Sequence, residues 1–425
     1  MAAQVGHRRL HRAWLVAAVT FLVLLAAASF RSTTGVLLEP VEAEFGWSRS
    51  VTSAAVSLNL ALFGLTAPFA AALMQRFQMR QVVTGALVLV GVGAGGAALV
   101  SSPFQLMVTW GLSVGLGTGS IAVVFGAIVA NRWFVSRRSL VTGVFSAASA
   151  TGQLVFLPLF AWLATDVGWR YASVFTALGA LVLIVPVWLV LRDRPEDVGA
   201  LPYGSDATYA VTEHTHTSLW AAVRSTVELF VKAAPTSAFW ILMGTFFVCG
   251  WTTNGLIQTH FVPAAHDHGM PATTAASLLA FVGVFDLIGT IASGWLTDRV
   301  NPRLLLVTYY GLRGLALLTV PVVLGPVVNW PIMFFVVFYG LDWVATVPPT
   351  VQLCREAFGL ERSGILYGWV FAAHMVGAAL AAVFAGWIRE THGDYNIAWF
   401  VAAALALLAA AAVPFIPRGR ARQFV

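Results

Sequence analysis

Charge is what this chain has least of: Asp, Glu, Lys and Arg make up 10% of its 425 residues, against about 25% in soluble domains. With 59% hydrophobic residues and a mean hydropathy of +0.83, a water-soluble globule of this length is excluded. Cysteine is almost missing. Cys249 and Cys354 fall at different depths of the expected helices, so neither a disulfide framework nor a thiolate metal cluster is available. No nucleophile–base pair stands out, and the "HDHG" at 266–269 offers too few ligands, too close together, to hold a metal. The chain is read as no enzyme, with no cofactor and no metal. The Gly-rich stretch from Gly111 to Gly126 lies in an apolar run with no strand before it, and so serves close helix packing rather than phosphate binding.

What the chain has in quantity is long apolar runs. A helix needs about 20 apolar residues to cross a hydrocarbon core of ~30 Å. Twelve such runs are expected, at 14–39, 49–74, 81–100, 103–130, 139–164, 170–191, 237–262, 272–297, 304–325, 329–351, 363–388 and 396–416. They are called helices 1 to 12 below. The basic start and apolar run resemble a signal peptide, but its removal would leave an odd helix count; it is read as helix 1. Of 24 Lys and Arg, only Arg49, Arg170 and Arg389 fall on the outer side, and Arg31 and Arg313 fall within the membrane. The other nineteen mark the inner side, so both termini are expected in the cytoplasm of a bacterial inner membrane. The sequence pI of about 9.7 then describes a surface facing anionic lipid, with no nucleic-acid partner.

A polar interruption divides the chain into residues 1–191, a cytoplasmic linker at 192–236 with an amphipathic stretch, "LWAAVRSTVELFVKAA", and residues 237–425. The flanking parts repeat each other. At an offset of 223, Leu73 pairs with Leu296, Arg76 with Arg299, Arg80 with Arg303, Pro40 with Pro263 and Gly46 with Gly269. Near 225, Gly143 pairs with Gly368 and Gly152 with Gly377. Such internal symmetry marks secondary transporters that bind substrate between two repeats.

On these features the chain resembles the major facilitator superfamily over nearly its whole length. The family's loop motif, Gly-x-Leu-x-Asp-Arg-x-Gly-Arg, is degenerate after helix 2, where Arg76 and Arg80 remain but Gln75 replaces its aspartate. The copy after helix 8 keeps Gly294, Leu296, Asp298, Arg299 and Arg303. The resemblance implies an all-α membrane protein of two pseudo-symmetric six-helix bundles, with these loop residues as gating latches. A narrower likeness, "RWFVSRRSLVTG" at 132–143, is similar to the entrance of helix 5 in monocarboxylate transporters and bacterial organic-anion relatives.

Charges inside a bilayer cost roughly 2.5 to 3.5 kcal/mol each on insertion scales, so they face a cavity or a partner. Four are clear: Arg31, Asp286, Arg313 and Asp342. In "RSTTG", Arg31 stands where the resemblance places a functional lysine, and with Thr34 it is expected to hold an anionic substrate through fixed, bidentate charge. Asp286 matches an aspartate of helix 8 in that family and is expected to load a proton, or else to pair permanently with Arg313. One turn on, Thr290 replaces the arginine that the resemblance would supply. Arg313 and Asp342 lie at matching depths and are expected to form a structural ion pair. Asn254 and His374 are further substrate-contact candidates. The expected function is transport of a small organic anion by a monomer, with a proton as second partner and the bilayer as solvent. Export of a drug-like metabolite, with Trp47 and Trp343 as stacking surfaces, is the alternative; a membrane ligand sensor is a third, disfavoured by the lack of a long loop for signalling.

Overall fold

The computed structural model describes residues 11–32, 34–121, 123–136, 141, 144–145, 148, 156, 158–205, 219–297 and 299–419, and among these the protein is all α-helical. The single strand-like contact joins Phe134 to Tyr203. Nine helical stretches among the described residues are long and apolar enough to cross a membrane, within helices 1, 3 and 6 to 12. Helix 2 runs from Arg49 to Arg76, and helix 4 is helical over 103–121 and 123–133. Most of helix 5 lies outside the described residues; its last turns, Leu163–Gly168, meet helix 6 (Trp169–Val190) at Gly168, where φ is +130° and the chain can turn.

Several helices exceed their expected spans. Helix 1 comprises Arg12–Ser32 and continues as Thr34–Phe45. Helix 7 runs Ser237–Gly250, Trp251–Ile257 and Gln258–Asp267, with wide π-helical turns in the middle piece. These extensions carry polar residues past the hydrocarbon, where apolar counting stops. Helices 8 (Ala272–Thr297), 9 (Pro302–Val323), 11 (Leu360–His392) and 12 (Asn396–Ala412) are continuous. Helix 10 is not: Trp330–Asp342 and Val347–Phe358 are separated by a turn at 343–346, although one apolar run was expected. Pro348 and Pro349 have no N–H to offer the carbonyls of Val344 and Ala345, so the helix cannot run through.

Four apolar clusters hold the bundle. One lies wholly within the first half, around Phe125, Trp133 and Phe145, and one wholly within the second, around Phe239, Phe246 and Leu353. Two cross between halves, one joining Leu37, Val41 and Trp110 to Leu256 and Phe261, the other joining Leu60 and Phe63 to Met375 and Ala379. Helices 2 and 11 run antiparallel in close contact: Ser53 lies at Gly386, Gly64 at Met375 and Phe69 at Trp369. The linker helix Leu219–Ala233 packs on both, and the Trp369 indole donates to the Thr226 carbonyl at 3.1 Å. This marks one end of the bundle, where the first and last described residues also lie: the His11 ring meets Tyr203 edge-on, and Arg303 bonds the carbonyls of Ile416 and Pro417. It is called the terminal end, and the opposite one the far end.

Small residues let these backbones approach, as lipid-embedded helices require. A methyl group at Gly250 would collide with the His374 carbonyl, and one at Gly289 with the Leu341 carbonyl; Gly244 has open space. Gly250→Ala and Gly289→Ala should each destabilise the detergent-solubilised protein by about 1 to 3 kcal/mol through overpacking, while Gly244→Ala should leave its melting temperature unchanged. Thermal melts of the three variants check this.

Candidate functional site

Three of the four intramembrane charges expected from sequence converge on the break in helix 10. Arg313, from the middle of helix 9, is fully buried, and each of its three guanidinium nitrogens has a polar partner. Its Nε pairs with Asp342 Oδ2 at 2.6 Å. Its Nη2 donates to the Asp342 and Trp343 carbonyls at 2.6 and 3.1 Å, and its Nη1 approaches Cys249 Sγ at 3.1 Å and Thr252 Oγ1 at 3.3 Å. Five contacts on one fork-shaped cation offset a desolvation cost that a bare pair would not.

Asp286 makes no direct ion pair with Arg313. Its Oδ1 accepts from the Thr290 hydroxyl at 2.9 Å and from the Val344 backbone N–H at 3.0 Å, and the residue is 8% exposed. Thr290, expected at the substrate, spends its hydroxyl on this carboxylate. Ser293, one further turn along helix 8, donates to the Ala345 carbonyl at 2.6 Å. The cluster thus holds one guanidinium and two carboxylates.

Asn254 and His374 meet nearby. The wide turns of helix 7 place Asn254 so that His374 Nε2 lies 3.0 Å from its Oδ1, while its amide donates to Gln258 at 2.5 Å. Phe371 stacks on the His374 ring, with 9° between the planes. Wide turns of this kind recur at functional sites because they displace one residue from the helical ladder. The Arg31 and Thr34 side chains lie outside the described ones. So do Asp298 and the side chain of Arg76.

The remaining loop-motif residues stand at the terminal end. Arg303 pairs with Glu356 at 3.0 Å besides holding the two C-terminal carbonyls. Arg299 bonds the Trp295 carbonyl and lies over its ring, Arg80 bonds Gln78 and lies over Trp188, and Gly294 has open space around it. One acidic helix cap on the first half was missed by sequence reasoning. Asp193, from the start of the linker, accepts from the Met79 N–H at 2.5 Å and so caps helix 3. Cys249, Thr252 and Ser293 were missed as well, and so was Thr346, whose hydroxyl lies 3.2 Å from Cys249 Sγ; the signal that could have found them was the Pro348–Pro349 pair inside an apolar run.

At the far end the halves are latched by charge. Arg49 pairs with Glu42 at 2.8 Å and donates to the Tyr395 hydroxyl at 3.1 Å; His266 meets Glu39 at 2.9 Å. Thr52 donates to Glu42, the Ser50 N–H donates to Glu390 at 3.3 Å, and Arg389 grips Asp267 through two bonds. Trp47, proposed as a stacking surface, stacks on Phe45, and Trp343 is buried.

A family model described as Major Facilitator Superfamily matches residues 19–370 and 264–423. The chain belongs to that superfamily. Among its relatives, the uncharacterized transporter YcxA of Bacillus subtilis is 24% identical, covering 96% of this chain and 97% of its own. Monocarboxylate transporter 13 of Rattus norvegicus is 27% identical over 95% and 89%, and monocarboxylate transporter 11 of Mus musculus 27% over 93% and 85%. The structure of a bacterial homologue of the human lysosomal transporter Spinster, described as inward-facing and unoccupied, aligns with a TM-score of 0.66 at 16% identity, over 95% and 94% of the two chains. The major facilitator fold of this protein is that of a transporter, and the likeness to the Spinster homologue extends to fold alone.

Two outcomes follow from these geometries. Removing one member of the buried pair, by Arg313→Met or Asp342→Leu, strands a charge and should cost about 3 to 5 kcal/mol. The double variant should recover part of that loss but not all, because the Asp342 and Trp343 carbonyls lose their donor; melting temperatures of the singles and the double measure the difference. At the latch, burial raises the pKa of Glu42 above the usual carboxylate value, against the opposing pull of Arg49 and the Thr52 hydroxyl. A raised value means the closed far end gains stability below the ordinary carboxylate range and loses that share as pH rises through the raised value. Glu39 adds the same sign, since burial raises its pKa too, against the opposing pull of His266 and Arg49. Spin-label distances across the far end should therefore show a larger closed population as pH falls from 8 towards 5, with a smaller response in Glu42→Gln.

Proposed function

We propose that this transporter moves a small organic anion together with a proton by alternating access. The single observation behind the reading is the charge balance of the helix 8–9–10 cluster. With Asp286 and Asp342 ionised beside Arg313 the buried cluster carries a net charge of −1; one proton neutralises it. Asp342 has the guanidinium at 2.6 Å, while Asp286 accepts only from neutral donors, so the proton belongs on Asp286. Arg31 supplies the positive charge for the substrate, with Asn254 and His374 as neutral contacts across the interface between halves. A proton carried with each anion makes the cycle electroneutral, which removes an opposing term of ~2.3 kcal/mol per charge per 100 mV. The relatives named as monocarboxylate transporters support a carboxylate as the anion. The protein acts as a monomer in a bacterial inner membrane, with the terminal end in the cytoplasm.

Uptake of labelled mono- and dicarboxylates into proteoliposomes, with and without an inward proton gradient, tests the reading. Gradient-driven uptake of one anion class is expected, with at least a tenfold loss in Arg31→Gln for removal of a charge-assisted contact of about 1.5 to 3 kcal/mol. Asp286→Asn should abolish the response to the gradient. Transport of hydrophobic cations with no anion uptake would overturn the carboxylate reading.

A further inference from the structure

The turn at 343–346 leaves two half-helices whose ends face each other inside the membrane. The far-end half, Trp330–Asp342, finishes there with carbonyls that no helical N–H serves and the negative end of its dipole; the terminal-end half, Val347–Phe358, begins there with the positive end, its Val347 and Thr350 N–H groups bonded to the Val344 and Thr346 carbonyls and its two prolines without N–H, while the Val344 N–H lies in the turn before it. In hydrocarbon such groups have no water to turn to. The partners found are of matched sign. A cation, Arg313, holds the Asp342 and Trp343 carbonyls; an anion, Asp286, holds the Val344 N–H. Ser293 takes the Ala345 carbonyl that Pro349 cannot serve. The chain between closes in tight three-residue steps, Trp343 N–H to the Gly340 carbonyl and Val347 N–H to that of Val344. Three side chains from helices 8 and 9 therefore replace the missing rungs of helix 10.

We propose that residues 342–346 are a hinge of helix 10, and that Asp286 and Arg313 are its positioning residues, Arg313 on the carbonyls that close the far-end half and Asp286 on the N–H of the turn that follows. The side chains facing Asp286 are Thr290 from its own helix and the Arg313–Asp342 pair from helices 9 and 10. On the reading that Asp286 is also the proton site, loading it replaces a charge-assisted cap with a neutral one of roughly half the strength, so protonation loosens the hinge that the bending of helix 10 requires. The hinge itself does not depend on that reading.

Hydrogen–deuterium exchange of the 343–347 amides in lipid nanodiscs, with helix 12 as the control for intact folding, tests it. Asp286→Leu removes the cap and should speed exchange at 343–347 about tenfold or more, the loss of one charge-assisted hydrogen bond. Asp286→Asn keeps an acceptor oxygen and should give a smaller rise. Pro348→Ala with Pro349→Ala restores two donors, so exchange at 344–347 should slow as the helix closes; this arm stands even if Asp286→Leu fails to fold. Wild-type exchange rates in a folded Asp286→Leu, or in the double proline variant, would overturn the hinge. Gradient-driven uptake surviving in Asp286→Asn while Asp286→Leu exchanges fast would overturn the proton assignment and leave the hinge standing.

Discussion

The guanidinium of Arg313 is the contact on which the second half of the protein depends. It is fully buried and joins helix 9 to helix 10 by an ion pair and two carbonyl bonds, and to helix 7 through Cys249 and Thr252. Helix 7 is tied back independently, since the Tyr339 hydroxyl donates to the Thr252 carbonyl at 2.8 Å. An apolar residue at 313 would pack as well in hydrocarbon, but it could not satisfy the Asp342 and Trp343 carbonyls that the turn at 343–346 leaves without helical partners. The demand comes from the backbone and the charge answers it, which is why an arginine sits on a helix whose neighbours in sequence are leucines and glycines.

That order of cause explains what was legible. Apolar run length and the basic bias of the loops were enough for the fold class, because membrane thickness and backbone satisfaction leave helices as the only available element here. Arg313 and Asp342 could be placed side by side from depth alone. The role of Asp286 could not, because its second partner is a backbone N–H that exists only where helix 10 breaks. "VATVPPTVQ" at 344–352 held the information, and hydropathy counting passed over it, since alanine, valine and proline all score as compatible with an apolar run. Asp193 was missed for a related reason: it caps helix 3 from more than a hundred residues away, and no local pattern links it to Met79.

The distribution of ion pairs gives the molecule two differently built ends. At the far end, charges from residues 39–52 meet those from 260–267 and 389–395, so the bonds run between halves and must break for the halves to part. At the terminal end Arg303 and Asp193 bond within their own halves. There the halves are joined by helix 2 against helix 11 and by the linker helix laid across both, largely through aromatic rings. Ring contacts are nondirectional and tolerate sliding, whereas a guanidinium held between a carboxylate and a phenol does not.

A switch needs two states of similar free energy, and this asymmetry shows where the difference is carried. The far-end latch is partly desolvated, so its attraction and its dehydration cost nearly offset each other, and small changes in protonation decide the balance. The helix 10 cluster sits at depth, where the same chemistry is fully desolvated and a single proton changes its net charge from −1 to zero. On the proposed reading a proton on Asp286 would alter how firmly the turn of helix 10 is held, and the far-end half that leads into it is packed against helix 8 through Gly289 and Gly340, where the backbones touch and no compressible side chain can absorb a change in angle. A local loss of charge at that site would therefore be passed on as movement of whole helices.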